Sequence, residues 1–269
     1  NASSEVEFHG AWAQRVGEEG RGIATILEMV ALTRLDCMIG ATGEMRAALV
    51  QAAHHVSHRK SFGKRLIEHA LMQNVVADLA LESEAATTLM LRIARAVDGS
   101  ARDAHEARLA RIGTAIGKYW LCKRAPAFVN EAQECLGGAG YVEETPLPRL
   151  YREAPLNSIW EGSGNIQCLD VLRVAQRDPE SLQAMFGELN LAAGGNRHLD
   201  QAIKQLQQEL RDTTAIEYRA RTLVDQMALA LQASLLVRHA PAAVADAFCG
   251  SRLAQRGLHN YGALPHGSH

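Results

Sequence analysis

The feature that most constrains this chain is a succession of long helical patterns separated by short breaker clusters. From about residue 22 to 58, apolar residues recur at helical spacing (Ile26, Leu27, Val30, Ile39, Leu49, Val50) until Arg59-Lys60-Ser61-Phe62-Gly63-Lys64 interrupts them. A second pattern runs from about Ile67 to Val97 and ends at Asp98-Gly99-Ser100. A third runs from about Asp103 to Leu136 and ends at Gly137-Gly138-Ala139-Gly140, with Pro126 predicting a local kink. A fourth runs from about Gly164 toward Arg177. Long helices joined by short turns predict an all-α, up-and-down antiparallel bundle. Composition agrees: 47% of the residues are apolar, only 5% are aromatic, and just 7 of 269 are proline.

The flanks read differently. Glu5-Val6-Glu7-Phe8 alternates like the end of a strand, and Gly10, Gly17 and Gly20 break the stretch after it, so residues 1–20 read as the tail of a preceding domain. After Gln176, Asp178-Pro179-Glu180 starts a new segment, with helices expected at about 180–192, 198–211, 214–238 and 241–256. Residues 263–269 read as a frayed tail. The domain division is therefore 1–20, 21–178, 179–262 and 263–269.

A net charge of −2 gives no general attraction to nucleic acid or to an acidic membrane. No apolar run approaches the ~18 residues of a membrane span. The five cysteines have no CxxC spacing and read as reduced thiols, which places the chain in the cytoplasm.

Three stretches could carry chemistry. In Ser158-Ile159-Trp160-Glu161-Gly162-Ser163-Gly164-Asn165, a single acid sits between an aromatic and a glycine turn, just before a helix. An acid beside Trp160 is partly desolvated, which raises its pKa toward a useful base, and Ser163 and Asn165 lie where helix N–H groups can meet a ligand. Taken alone, this stretch reads more simply as a capped helix with a solvated acid. Arg59, Phe62 and Gly63 could hold a phosphate and stack a ring, or merely end a helix. Gly137-Gly138-x-Gly140 follows a helix rather than a strand, which rules out a Rossmann fingerprint but allows close approach of a diphosphate. His54 and His58 share a face at i, i+4, yet no third ligand is evident, so no metal is expected.

Together these pieces resemble the C-terminal half of a flavin-dependent acyl-CoA dehydrogenase. The resemblance rests on Arg59-x-x-Phe62-Gly63, then Gln73, Leu136-Gly137-Gly138-x-Gly140-Tyr141 and Ile159-Trp160-Glu161-Gly162-Ser163, in this order and spacing. Leu147-Pro148-Arg149-Leu150-Tyr151-Arg152-Glu153 and Cys168-Leu169-Asp170-Val171-Leu172-Arg173 are similar to the AidB-type, alkylation-response branch, as are the extra C-terminal helices. The resemblance implies FAD as cofactor, an acyl-CoA substrate, and a dimer or dimer of dimers formed through the bundle. It implies that Arg59, Phe62 and Gln73 reach the FAD of a neighbouring subunit, with Gly137 and Gly138 near its diphosphate end. Ser163 and Asn165 would lie beside the flavin of the opposing site. Glu161 would be the base that takes the α-proton. Some members carry that base on the first long helix immediately before an arginine; here that pair is Thr33-Arg34, so Glu161 is the one candidate and Arg34 would lie near the acyl-CoA.

By the same resemblance, 1–20 would be the tail of a β-domain, and the chain alone would be inactive without the domains that complete the pocket. The branch also implies a second role, protective association with double-stranded DNA. Residues 197–256 carry eight Lys/Arg against six Asp/Glu. Arg173, Arg219, Arg221, Arg252 and Arg256 are the residues expected to form such a basic stripe.

Overall fold

The structure is a computed structural model, and it describes residues 4–254. Its centre is the third long helix. Helix α1 spans Gly22–His58, α2 spans Ala70–Gly99 and α3 spans Ala104–Leu136. They run up, down and up, so α1 and α3 are parallel neighbours. α1 buries Leu35, Met38, Ala41, Met45, Ala48, Leu49, Ala52 and Val56, a stripe at i, i+3/i+4 spacing facing the other two helices. α2 contributes Leu79, Ala85, Ala86, Leu89 and Ile93. α3 is buried on every side from Ile112 to Cys122, because it packs against α1 and α2 and also against five later helices. Asp103 caps its start by accepting from the His105 and Glu106 amides, and the helix continues through Pro126 to Gly137.

Two short helices, α4 (Gly138–Tyr141) and α5 (Leu147–Glu153), lead to a loop and then to α6 (Gly164–Arg177). The C-terminal region comes next as α7 (Pro179–Asn190), α8 (Arg197–Arg211), α9 (Ala220–His239) and α10 (Ala242–Phe248), closed by a single π-helical turn over Cys249–Leu253. α7 and α9 pack on α3, and α9 on α2, so one hydrophobic core runs through both regions. Two buried ion-pair networks cross the same boundary. Glu188 on α7 accepts from Arg92 on α2 and Arg238 on α9, and Arg92 also pairs with Glu106 on α3. Glu82 on α2 accepts from Arg124 on α3 and from Arg252 of the π turn.

Three expectations about elements are corrected. Residues 4–20 carry no helix or strand and are exposed throughout; Glu5–Phe8 has no neighbouring strand among the described residues, and an unpaired strand does not persist. The breaker between α1 and α2 is a small hairpin rather than a plain turn: β1 (Lys60–Ser61) pairs antiparallel with β2 (Lys64–Arg65). Phe62 and Gly63 take φ 51° and 84°, the positive values that a two-residue hairpin turn demands. The helix expected from 214 starts only at Ala220, because the Arg219 guanidinium ties down the carbonyls of Glu209 at the end of α8 and of Asp212 and Thr214 in the loop after it. The expected frayed tail, 263–269, lies outside the described residues.

Candidate functional site

The loop Ile159–Ser163 lies where α1, α3 and α6 meet, and its shape is imposed on its carbonyls. The Lys118 ammonium, on α3 and 1% exposed, donates to the carbonyls of Trp160 (2.7 Å) and Gly162 (2.6 Å). Arg34 Nε, on α1, donates to the Glu161 carbonyl at 3.1 Å. Gln167 Nε2, on α6 and fully buried, donates to the carbonyls of Glu161 (3.1 Å) and Gly162 (3.0 Å). Within this grip Glu161 takes φ 58° and Gly162 φ 94°. A left-handed conformation costs a residue with a Cβ roughly 1–2 kcal/mol, so the charged and amide donors offset a real strain. The half-buried Glu161 carboxylate makes no hydrogen bond or ion pair among the described residues.

A second carboxylate, Asp170, stands nearly two turns into α6 and is fully committed. Arg111 grips it through both oxygens (2.8 and 3.0 Å), Arg34 donates to it at 3.0 Å, and Arg173 lies 3.7 Å away. Burial pushes the Asp170 carboxyl up, but these guanidiniums outweigh it and hold its pKa below the usual range. Arg34 therefore bridges the two acids: its Nε holds the backbone of one and its terminal nitrogen holds the side chain of the other. Beneath the loop, Trp160 Nε1 donates to Asn157 Oδ1 (3.2 Å), and Asn157 Nδ2 donates to Glu44 Oε1 (3.2 Å). Burial, and then the Glu153 carboxylate, push Glu44 up to about 7.

The expected cofactor residues fall into two groups. Ser163 and Asn165 follow Glu161 at the start of α6 and are exposed on either side of the buried Gly164; this helix N-terminus has no side-chain cap, and its free N–H groups suit an anionic ligand. The Asn165 side chain is already oriented by Arg221 Nε, at 2.9 Å from its Oδ1. Arg59, Phe62 and Gln73 are exposed at the far end of α1 and the beginning of α2; Phe62 is 94% exposed, and the Arg59 side chain makes no bond among the described residues. Gly137 and Gly138 lie at the end of α3, with nothing within 4 Å of where a Cβ would stand, so a diphosphate could approach this backbone closely. The residues present thus suit a flavin dinucleotide at two places. At 1.5 Å per residue, the end of α1 is about 36 Å along the helix from Arg34, and the end of α3 about 27 Å from Lys118. One dinucleotide cannot touch both groups within one chain.

One residue of the expected basic stripe is corrected. Arg252 is 9% exposed and is inserted between Asp78 and Glu82, so it is a structural link rather than a surface cation. Arg219 holds loop carbonyls and Arg221 holds Asn165. Arg173 remains largely exposed, and Arg256 lies outside the described residues. The His54 and His58 rings stack at 4.4 Å, and no His/Cys/Asp/Glu group among the described residues could hold a metal ion. No helix among them is long and apolar enough to cross a membrane.

Lys118, Gln167, Asp170, Asn157 and Glu44 escaped the sequence reading. Lys118 alone left a visible signal: it is the one charged residue in Ile112–Cys122, an otherwise uncharged run whose length and composition imply burial.

Comparison with known proteins places this geometry. Residues 20–176 match the acyl-CoA dehydrogenase, C-terminal domain, model. The chain is 44% identical over 257 residues to the Escherichia coli acyl-CoA-dehydrogenase-like protein AidB, an alignment covering 96% of this chain and 47% of that protein. It is 29% identical over 259 residues to Caenorhabditis elegans acyl-CoA dehydrogenase family member 11, covering 93% of this chain and 42% of that protein. The solved structure of Caenorhabditis elegans ACDH-11 in complex with C11-CoA superposes with a TM-score of 0.84 at 27% identity, over 91% of this chain and 47% of that one. The chain spans about half the length of these relatives. Its sequence, its bundle and the Glu161 loop together make it a member of the acyl-CoA dehydrogenase family, of which it carries the C-terminal domain.

Proposed function

We propose that the chain supplies the proton-abstracting half of a site that oxidises an acyl-CoA between its α and β carbons, with Glu161 as the base. The observation that carries this reading is the contrast at Glu161: its carbonyl is gripped by Arg34 and Gln167 and the carbonyls on either side by Lys118, while its carboxylate makes no hydrogen bond or ion pair among the described residues. A base needs such placement, since it must be fixed in position yet open to a proton. Glu161 takes the α-proton of the thioester. Arg34 keeps the base's peptide in place and neutralises Asp170, so that the second acid does not add a negative charge beside the first. FAD, when bound, supplies the hydride acceptor for the β-carbon.

Ser163, Asn165 and the uncapped start of α6 would meet that flavin. Arg59, Phe62, Gln73, Gly137 and Gly138 would serve the flavin of a neighbouring copy, because they lie roughly 27–36 Å along the helices from Glu161. A homo-oligomer built through the bundle is the consequence. The relative solved with C11-CoA supports an acyl-CoA as the substrate class, and the match to AidB, which extends through the C-terminal helices, supports the AidB-type branch.

The test is flavin reduction by acyl-CoA in the full-length protein. Glu161→Gln should slow it by about 10²–10⁴-fold with flavin content unchanged. Reduction at the wild-type rate would remove Glu161 from the role of base.

A further inference from the structure

We infer that Lys118 is the positioning residue that sets the direction of the Glu161 side chain. This deepens the reading of Glu161 as base and rests on it.

A fully buried lysine needs a reason. Isolated ammonium groups are costly to desolvate, and buried ones are usually paired with a carboxylate. Lys118 has no ion pair among the described residues; its bonds go to two backbone carbonyls, those of Trp160 and Gly162. These lie on either side of Glu161. The peptide plane that carries the Trp160 carbonyl also carries the Glu161 amide, so its orientation is the φ angle of Glu161. Lys118 donates the one side-chain hydrogen bond made to that carbonyl among the described residues. The following plane, carrying the Glu161 carbonyl, is held by Arg34 and Gln167. Lys118 therefore governs φ, and the other two govern ψ.

That division matters because Glu161 sits in the left-handed region, where a residue with a Cβ stays only if its surroundings hold it. If the Trp160 carbonyl is released, the loop relaxes toward an ordinary conformation and the Cα–Cβ vector of Glu161 swings away. A misplacement of about 1 Å is enough to cost on the order of 100-fold in rate. Lys118 is 1% exposed, so the ammonium reaches the two carbonyls from inside the fold rather than on a surface arm.

Two variants test this. Lys118→Met keeps the length and apolar stem but has no donor. Lys118→Gln keeps one polar head and tolerates burial, and guards against a Met variant that fails to fold. In the full-length, flavin-loaded protein the rate of flavin reduction should fall in the order Lys, Gln, Met, with the Met variant down about 10- to 100-fold. Acyl-CoA affinity and flavin content should stay within about threefold. A second readout needs no cofactor: amide hydrogen exchange of this chain should accelerate at least about tenfold across residues 159–164 while α1 and α3 keep their protection. Wild-type exchange in this loop in either variant overturns the inference, as does a rate loss explained by weaker acyl-CoA or flavin binding. Glu161→Gln, measured alongside, separates the two ideas: an active Glu161→Gln removes the base assignment, whereas an inactive Glu161→Gln with a fully active Lys118→Met removes only the role of Lys118.

Discussion

Two carboxylates stand nine positions apart at the junction of α1, α3 and α6, and they are treated in opposite ways. Asp170 has its side chain bound by guanidiniums from three residues and its backbone in regular helix. Glu161 has its backbone carbonyl bound by Arg34 and Gln167, the carbonyls on either side of it bound by Lys118, and its own side chain without a hydrogen bond or ion pair among the described residues. Arg34 takes part in both arrangements. The difference teaches how a fold can separate stability from chemistry: the acid that consumes its hydrogen-bonding capacity inside the structure holds helices together, and the acid that is held by its backbone keeps that capacity for something else.

The sharpest way to break this comparison is to neutralise each acid and measure thermal or denaturant unfolding of this chain. Asp170→Ala leaves Arg34 half-unpaired and should cost about 3 kcal/mol. Glu161→Gln should change stability by less than about 0.5 kcal/mol. If the two costs are equal, the division of labour is wrong. A next test uses pH and Glu44, which holds the Asn157–Trp160 relay under the loop. Its carboxyl is raised to about 7 in the folded state, chiefly by burial, so the fold binds a proton that the unfolded chain has already released. Stability is then fullest below the ordinary carboxylate pKa and declines as pH rises toward 7, by roughly 2–3 kcal/mol from this group alone. Glu44→Gln should flatten that part of the stability–pH profile; an unchanged slope would mean Glu44 is not the group responsible. Asp170 and Glu188 act with the opposite sign: their lowered pKa values stabilise above the ordinary carboxylate range, and that contribution is lost on acidification. The smallest expected effect is Asp103→Ala, which removes the cap of α3 and should cost about 1 kcal/mol while leaving flavin reduction in the full-length protein unaltered.

Much of the architecture was legible in the sequence because its signals are local. Apolar spacing and the breakers on either side located α1 from Gly22 to His58 and α6 from Gly164 to Arg177, where the structure has them. The loop bearing Glu161 could be read for the same reason. What could not be read depends on which surfaces meet. Arg252 and Arg219 look like surface cations in a one-dimensional string, but they are drawn inward by acids or carbonyls that tertiary packing brings up. Lys118 and Asp170 are the inverse case: charged letters that imply solvent, placed in the interior because partners distant in sequence satisfy them. Phe62 was legible as part of a turn but not as half of a hairpin turn, since its positive φ comes from strand pairing rather than from its own preference.

The burial of α3 on all sides from Ile112 to Cys122 has a consequence for tolerance to mutation. On an ordinary amphipathic helix, a scan of every position gives a wave, with sensitive residues every three or four places and permissive ones between. Along this stretch the wave should vanish into a continuous intolerant band, because a side chain enlarged on one face displaces a neighbour just as it does on the other. The periodicity should return only past Cys122, where Lys123 and Arg124 are again partly exposed.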